Sequence, residues 1–363
     1  MALTEQGLMD ALKGVIDPNT GQDFVSARAI KNVSITGGDV AFDVELGYPA
    51  KSQIPGFRMS LVAAAKTVSG VENVSVNIVT KIVPHSVQRG VQLLPSVKNI
   101  VAVASGKGGV GKSTTAVNLA LALAAEGASV GVLDADIYGP SIPMMMGISG
   151  KPASADGKTM EPMENHGVQV MSIGFLVAQD EAMIWRGPMA TQALEQLLRQ
   201  TNWKELDYLI VDMPPGTGDI QLTLSQRVPM TGAIIVTTPQ DIALLDARKG
   251  IKMFQKVGVP ILGIVENMAV HVCSNCGQVE HIFGADGGKR MAAEYDMDYL
   301  GALPLDMQIR LQADSGQPTV VADPDGEVAS IYKAVARKVA VAIAAKNKDF
   351  SAKLPSITIS KNT

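Results

Sequence analysis

Seven short, continuous apolar segments, separated by helical stretches, restrict the possible folds of this sequence more than any other feature. They begin near residue 98 and read IVAVAS, SVGVLDAD, VQVMSIG, YLIVDMP, GAIIVTTP, ILGIVENM and YLGALPL. Strands that are apolar on both faces lie within a parallel sheet that helices cover on both sides. The pattern therefore predicts a doubly wound, mostly parallel α/β domain, in which ligands bind beyond the carboxyl ends of the strands.

The first 84 residues follow a different pattern. Their polarity and turn residues predict the order helix, strand, strand, helix, strand, at residues 4–14, 26–35, 39–47, 55–68 and 71–79. This order is typical of a small α+β domain. We therefore predict four parts, which are an α+β domain over 1–84, a linker over 85–97, the α/β domain over 98–347 and a flexible tail over 348–363.

Composition and charge exclude several functional classes. The chain has 31 basic and 35 acidic residues and only 4% aromatic residues, which argues against a protein that coats or stacks on nucleic acid. Two cysteines are too few for a disulfide-stapled secreted domain. The N-terminus lacks the pattern of a signal peptide, and no apolar stretch reaches the length of a membrane span. We predict a cytoplasmic protein that binds neither nucleic acid nor membrane.

The segment SGKGGVGKST at residues 105–114 follows the first apolar strand and precedes an alanine-rich helix. Its spacing and its strand–loop–helix context match a phosphate loop, in which backbone N–H groups and a helix N-terminus surround a phosphate. Lys112 would reach the β- and γ-phosphates, and the Ser113 hydroxyl would ligate Mg²⁺. The predicted nucleotide-binding loop comprises Gly106, Lys107, Gly108, Gly109, Val110, Gly111, Lys112, Ser113 and Thr114.

Acidic residues end two other apolar strands. Asp212 follows YLIV and is predicted to hold Mg²⁺ through water, because a phosphate-loop enzyme places such an acid at a strand end. Asp136 in the DAD segment is free to orient an attacking water, whereas Asp134 is suited to anchoring a turn.

Cys273 and Cys276 form a Cys-x-x-Cys pair in the segment HVCSNCGQVEHIFG. A tetrahedral zinc or a cubane iron–sulfur cluster requires four ligands, of which the two cysteines supply half. The residues alone leave three alternatives open. Two subunits share a [4Fe-4S] cluster, or His271 or His281 helps to complete an intrachain zinc site, or the pair is a redox switch. The last is weakest, because a thioredoxin-like pair opens a helix after an early strand.

SGKGGVGKST with its two lysines, DADIYGPS and DMPPGTGD resemble the deviant phosphate-loop ATPases that include MinD, ArsA and the nitrogenase iron protein. The resemblance implies that Lys107 reaches across a dimer interface to the partner's nucleotide, and that Lys107, Lys112 and Asp136 act in ATP hydrolysis. It also implies that Asn267 contacts the adenine and that Pro239 lies in the loop beside the base.

The combination of this loop, MPPGTGD and a Cys-x-x-Cys after ENM resembles the Mrp/ApbC family of iron–sulfur cluster carrier ATPases. That resemblance implies ATP and Mg²⁺ as cofactors and a homodimer whose Cys273 and Cys276 pairs hold a bridging [4Fe-4S] cluster. It also implies apo iron–sulfur proteins and assembly scaffold proteins as partners. The alternative function is a MinD- or ParA-like positioning ATPase with a structural zinc.

The N-terminal segment DPNTGQDFVSARAIKNVSI resembles the small domain of iron–sulfur assembly factors. In those proteins the second helix often carries a cysteine. The corresponding segment here, IPGFRMSL, contains none.

Overall fold

The computed structural model describes residues 3–88, 90–177 and 187–347, and the predicted tail at 348–363 lies outside them. The described N-terminal residues form a three-stranded sheet with two α-helices. Its elements are α1 (Glu5–Leu12), β1 (Ile30–Thr36), β2 (Asp39–Leu46), α2 (Ile54–Ala65) and β3 (Asn73–Thr80). Strand β2 lies in the centre, antiparallel to β1 and parallel to β3. The predicted small α+β domain is therefore confirmed.

Alternation of side chains along β2 explains why this unit folds. Its inward residues Val40, Phe42 and Val44 are buried, whereas their neighbours face solvent. Leu8 on α1 and Leu61 on α2 are fully buried in the same core. Strand β2, whose side chains alternate between buried and more exposed positions, thus forms the centre of a sheet that two helices cover on one face.

Nine strands of the described residues form the second sheet. They are β4 (Val97–Ala104), β5 (Val130–Asp134), β6 (Met163–Asn165), β7 (Val168–Ser172), β8 (Leu206–Asp212), β9 (Gly232–Thr237), β10 (Ile261–Val272), β11 (Val279–Glu280) and β12 (Tyr299–Pro304). The order runs β6-β7-β5-β8-β4-β9-β10, and β10 pairs with β12 along its length and with β11 at its end. Only the short strands β6 and β11 are antiparallel to their neighbours. All seven predicted apolar segments are strands of this mostly parallel sheet.

Helices cover both faces of this sheet. They are α3 (Lys112–Ala125), α4 (Ile142–Met145), α5 (Gly187–Gln200), α6 (Asp219–Arg227), α7 (Asp241–Lys256), α8 (Gly287–Glu294), α9 (Met307–Asp314), α10 (Thr319–Ala322) and α11 (Glu327–Ala344). The central strands are buried along nearly their whole length, as continuous apolar runs require. Strands β4, β5, β8, β9 and β10 are mutually parallel, so their carboxyl ends meet at one edge. Within the part of the chain that the structure describes, no helix is long and apolar enough to cross a membrane.

The N-terminal module lies against the far end of α3, on the side away from the phosphate loop. The buried carboxylate of Glu126, which follows α3, accepts hydrogen bonds from Ser52 N at 2.9 Å and Ser52 Oγ at 2.7 Å. It also pairs with Arg337 on α11, and the Glu126 carbonyl accepts from Lys51 N at 3.1 Å. A cavity of 750 Å³ between the module and the end of α11 shows that the contact is only partly packed. Polar contacts at Glu126 therefore join the module to the rear of α3, beside apolar side chains of both parts that belong to one core.

Candidate functional site

The phosphate loop joins β4 to α3 and depends on glycine at specific positions. Gly109 and Gly111 have φ angles of 81° and 80°, in the left-handed region that disfavours side chains. Gly106 lies so close to α7 that a Cβ atom there would overlap the backbone of Asp246. The loop therefore takes a tight path that other residues at these positions would obstruct.

The middle of this loop is open to solvent. Gly108 and Gly109 are exposed, and a Cβ atom at either position would meet no other atom within 4 Å. The N-terminus of α3 follows directly, and a helix N-terminus favours an anion. This open loop fits the phosphates of a nucleotide.

Lys112 is buried and connects the loop to both acidic strand ends. Its Nζ atom lies 2.7 Å from Asp212 Oδ1 and 3.6 Å from Asp136 Oδ2. The Ser113 hydroxyl lies 3.2 Å from the same Nζ. The structure thus brings together four of the predicted nucleotide-site residues, although they come from three different strand ends. The two carboxylates neutralise the lysine until a phosphate competes for it.

The surroundings of Asp212 suit a carboxylate that binds Mg²⁺ through a water molecule. Within the described residues its Oδ2 atom is buried and has no hydrogen-bond partner, although a buried carboxylate oxygen normally has one. Burial raises the pKa of Asp212 above its ordinary value, and Lys112 opposes this effect. Burial likewise raises the pKa of Asp136, again against Lys112. A divalent cation beside Ser113 would satisfy the orphaned oxygen through water and favour the ionised carboxylates.

Asp134 differs from Asp136, two residues further on, because its own hydrogen bonds hold it in place. Its Oδ1 atom accepts from Asp136 N at 3.1 Å, and its Oδ2 atom accepts from Ser172 Oγ at 2.9 Å and Ile142 N at 3.3 Å. The residue is fully buried, and this burial, together with the nearby Asp212, raises its pKa to about 8. Asp134 therefore organises the turn that presents Asp136.

The raised pKa of Asp134 predicts an unusual dependence of stability on pH. Between its ordinary value near 3.8 and about 8, the folded chain holds a proton that the unfolded chain has released. The free energy of unfolding should therefore fall as pH rises through this range. In Asp134→Asn this slope should shrink. Urea unfolding of the nucleotide-free protein at several pH values measures it.

The control for this experiment is Asp156→Asn, which changes an aspartate in an exposed turn. The pKa of Asp156 is lowered by hydrogen bonds from backbone N–H groups, first that of Thr159, so its stabilising effect is already complete above pH 5. An equal pH slope in wild type and Asp134→Asn would contradict the assignment of the proton to Asp134.

Asn267 contacts the phosphate loop directly, a contact that the sequence does not predict. Its Nδ2 atom donates to the Val110 carbonyl at 2.8 Å, and a Cβ atom at Gly111 would overlap the same Nδ2. Pro239 follows β9 and lies against Gly287, where a Cβ atom would come within 2.5 Å of the Pro239 carbonyl oxygen. Both residues thus lie at the carboxyl edge of the sheet. The predicted contacts with adenine remain predictions.

Lys107 is partly exposed on the loop, and the Ser105 hydroxyl donates to its carbonyl at 2.9 Å. Among the residues that the structure covers, its ammonium group has no ion pair or hydrogen bond. The predicted reach to a partner's nucleotide remains a prediction.

Cys273 and Cys276 lie at the tip of a β-hairpin that extends β10 beyond the sheet. Strand β11 pairs back onto β10 at His271 and Val272. The tip is closed by hydrogen bonds from Cys273 N to the Gln278 carbonyl at 2.9 Å and from Gly277 N to the Cys273 carbonyl at 2.8 Å. N–H groups of Asn275 and Cys276 lower the pKa of the Cys273 thiol. The hairpin therefore leaves Cys276 exposed and Cys273 partly exposed, and it favours the thiolate of Cys273, the form of a cysteine that binds metal.

The two nearby histidines make other hydrogen bonds and do not form a metal site with the cysteines in the described residues. His271 Nδ1 lies 3.0 Å from the Leu305 carbonyl, and His281 Nδ1 lies 2.9 Å from the Ala269 carbonyl. Within residues 3–88, 90–177 and 187–347, no group of three or more His, Cys, Asp or Glu side chains is placed to hold a metal ion. The intrachain zinc site that the sequence left open is thus not assembled in the described residues.

Apolar side chains surround the thiols on the same hairpin. Val272, Val279 and Ile282 are each more than half exposed. Clusters of exposed apolar residues are common at surfaces that bind other molecules. The hairpin therefore combines two thiols with an exposed apolar surface.

Fold and site together define a phosphate-loop NTPase that carries a thiol pair at the carboxyl edge of its sheet. The chain belongs to the NUBPL iron-transfer P-loop NTPase family, whose model matches residues 96–340. Residues 5–78 match the family described as iron-sulfur cluster assembly protein. The family that the motifs indicated is thereby confirmed.

Named relatives agree with this assignment. An iron-sulfur cluster carrier protein of Pseudomonas fragi is 59% identical over 278 residues, which cover 76% of this chain and 97% of that protein. One from Synechocystis is 46% identical over 343 residues, or 93% and 97% of the two chains. The iron-sulfur cluster transfer protein NUBPL of mouse is 54% identical over 248 residues, or 68% and 78%.

A solved structure supports the fold of the larger domain. A nucleotide-binding protein from Archaeoglobus fulgidus in complex with ADP is 38% identical, with a TM-score of 0.56. The match covers 64% of this chain and 90% of that one. The fold observed here thus occurs in a protein that binds a nucleotide.

Proposed function

We propose that this chain is an ATP-dependent iron–sulfur cluster carrier. Two protomers hold one [4Fe-4S] cluster between their Cys273 and Cys276 pairs and transfer it to apo iron–sulfur proteins, having received it from an assembly scaffold. The observation that carries the proposal is the exposed dithiol hairpin, which rises from the same sheet edge as the phosphate loop in a member of an iron-transfer family. The relatives that are iron-sulfur cluster carrier and transfer proteins support the identity of the cargo.

Ligand number supports a shared cluster. A cubane cluster requires four ligands, and each hairpin offers two thiols with no described third ligand nearby. A two-fold arrangement of two hairpins supplies four thiolates and covers the exposed Val272, Val279 and Ile282. Because the ligands lie on an exposed loop rather than in the core, an acceptor protein has access to the cluster.

The geometry of the loop supports the proposed ATP hydrolysis. The backbone of Gly106 to Gly111 surrounds the phosphates, and Lys112 shifts from its two carboxylates to the β- and γ-phosphates. Asp136, positioned by Asp134, orients the attacking water, while Lys107 contacts the nucleotide of the partner. Ser113 directly and the Oδ2 atom of Asp212 through water would hold Mg²⁺, which would supply positive charge to the phosphates.

Metal analysis after anaerobic reconstitution tests the proposal. We expect about two irons and two sulfides per protomer, since one [4Fe-4S] cluster serves two chains. Incubation with an apo acceptor protein should then move this iron to the acceptor. One zinc per protomer that persists in the monomer would instead support a structural zinc site and contradict the carrier function.

A further inference from the structure

The outward face of α7 carries one continuous row of exposed side chains. Residues spaced by three and four positions lie on the same face of a helix, and here they are Ile242, Leu245, Lys249, Lys252 and Lys256. The buried residues of α7 lie on the opposite side, against the sheet. We call this row the α7 stripe. It is about 20 Å long, because an α-helix rises 1.5 Å per residue.

The first two residues of the α7 stripe are unusual for positions that face solvent. Ile242 and Leu245 are 69% and 55% exposed, whereas the outward face of a surface helix is normally polar. Both lie near the start of α7, at the carboxyl edge of the sheet. The segment that leads from the cysteine hairpin to α8 packs on this end of α7, because a Cβ atom at Gly287 would lie 2.9 Å from Leu244 Cδ1. The apolar end of the stripe therefore lies beside the base of the hairpin.

The remainder of the α7 stripe is positively charged. Lys252 and Lys256 are exposed and have no ion pair or hydrogen bond from their ammonium groups among the residues that the structure describes. The Nζ atom of Lys249 lies 3.0 Å from Asp246 Oδ1, in a pair on the surface that contributes little stability and can be exchanged for another partner. Three lysines of the stripe are therefore available to an anionic surface.

The positive charge is local to this part of the surface. Helices α7 and α8 together carry six basic and three acidic residues, whereas the whole chain has 31 basic and 35 acidic residues. Helix α8 lies beside α7, where Arg248 donates to Glu294 at 2.8 Å, and its exposed Lys289 and Arg290 extend the basic surface. A two-fold contact through this surface would bring the lysines of two copies together, which their like charges oppose. The charge therefore favours an acidic partner over a second copy of this chain.

We propose that the α7 stripe is the docking surface for the acceptor protein that receives the cluster. Acidic side chains of the acceptor pair with the three lysines, and an apolar side chain of the acceptor covers the apolar end beside the hairpin. Four acceptor thiols then replace the four hairpin thiolates and pass their protons to them, while iron and sulfide move together without a change in oxidation state. This inference rests on the proposed function, because it names the surface through which that transfer takes place.

Transfer to an acidic acceptor tests this surface. Full-length protein is loaded chemically with iron and sulfide, which requires no docking, and transfer to apo-ferredoxin, a small acidic [4Fe-4S] protein, is followed at low and high salt with the acceptor below saturation. In Lys252→Glu/Lys256→Glu we expect transfer at low salt to be at least about tenfold slower, within the range that charge steering adds to association rates. High salt should reduce the difference, because it screens the charges.

The matched control is Lys151→Glu/Lys158→Glu. It changes the net charge by the same amount at two exposed lysines that precede β6, at the opposite edge of the sheet, and its transfer rate should equal that of wild type. Equal rates in wild type and the α7 variant, or equal slowing in both variants, would overturn the docking surface. Loss of iron from the loaded α7 variant would also overturn it, because the stripe would then support the shared cluster rather than the acceptor.

A binding measurement separates this inference from the carrier function. Binding of labelled apo-ferredoxin to the full-length protein is followed by fluorescence anisotropy, which requires no transfer. If binding depends on Lys252 and Lys256 but no iron reaches the acceptor, the docking surface stands and the proposed function fails. If wild type and the α7 variant transfer iron at equal rates, the function stands and the docking surface fails.

Discussion

Lys112→Ala is expected to reduce ATP hydrolysis at least about a hundredfold, the typical cost of removing one group that stabilises charge in a transition state. Lys112 supplies the only cation among the described residues that touches both Asp136 and Asp212, and its Nζ lies where phosphates enter. Release of phosphate from ATP, measured with purified protein, provides the readout. Unchanged hydrolysis would refute the assignment of the phosphate loop.

Two further variants sharpen that result. Lys98→Ala removes an exposed lysine from the opposite end of β4, where it pairs with the mostly buried Asp207, and hydrolysis should be unaffected because this pair lies away from the phosphate loop. Asp136→Asn should bind ATP but hydrolyse it slowly, because the amide is a poor acceptor for the proton of the attacking water. If Asp136→Asn hydrolyses ATP normally, another residue orients the water.

Cys273→Ala and Cys276→Ala are expected to lower the iron content from about two per protomer to nearly zero. Each change removes two of the four thiolates of a shared cluster, since both protomers carry it. Nucleotide affinity should change little, because the cysteines lie at the hairpin tip and the phosphate loop follows another strand. Iron analysis and a nucleotide-binding titration measure the two properties on the same sample.

Ser274→Ala in the same tip is the control for the cysteine variants and should retain the cluster. Full iron content in either cysteine variant would show that the metal binds elsewhere. Loss of nucleotide binding along with the iron would instead indicate that the hairpin supports the fold.

The sequence predicts the sheet because the central strands are buried on both faces, and burial of this kind leaves continuous apolar runs. The short strands β6 and β11 escape prediction, since two or three residues form no recognisable pattern. Placement of Lys112, Asp136 and Asp212 follows from the same logic, because acidic residues at the ends of parallel strands meet at one edge.

Contacts between distant segments could not be predicted. The bond from Asn267 to Val110 joins residues 157 positions apart, and neither residue type signals the other. The difference between Asp134 and Asp136 likewise depends on Ser172, which belongs to a separate strand. The φ angle of 56° at Met268 has no signal in the sequence, because methionine does not favour a positive φ.

The contacts of Glu126 show that the two structural modules of the chain depend on each other. An α/β domain separated from residues 3–88 would keep the pair between Glu126 and Arg337 but lose the donors of Ser52 and Lys51. Water or a new side chain would have to replace them, since a buried carboxylate with too few donors is costly. A shortened protein that keeps only the α/β domain would therefore need new hydrogen-bond donors at the C-terminal end of α3, in addition to a cut in the linker.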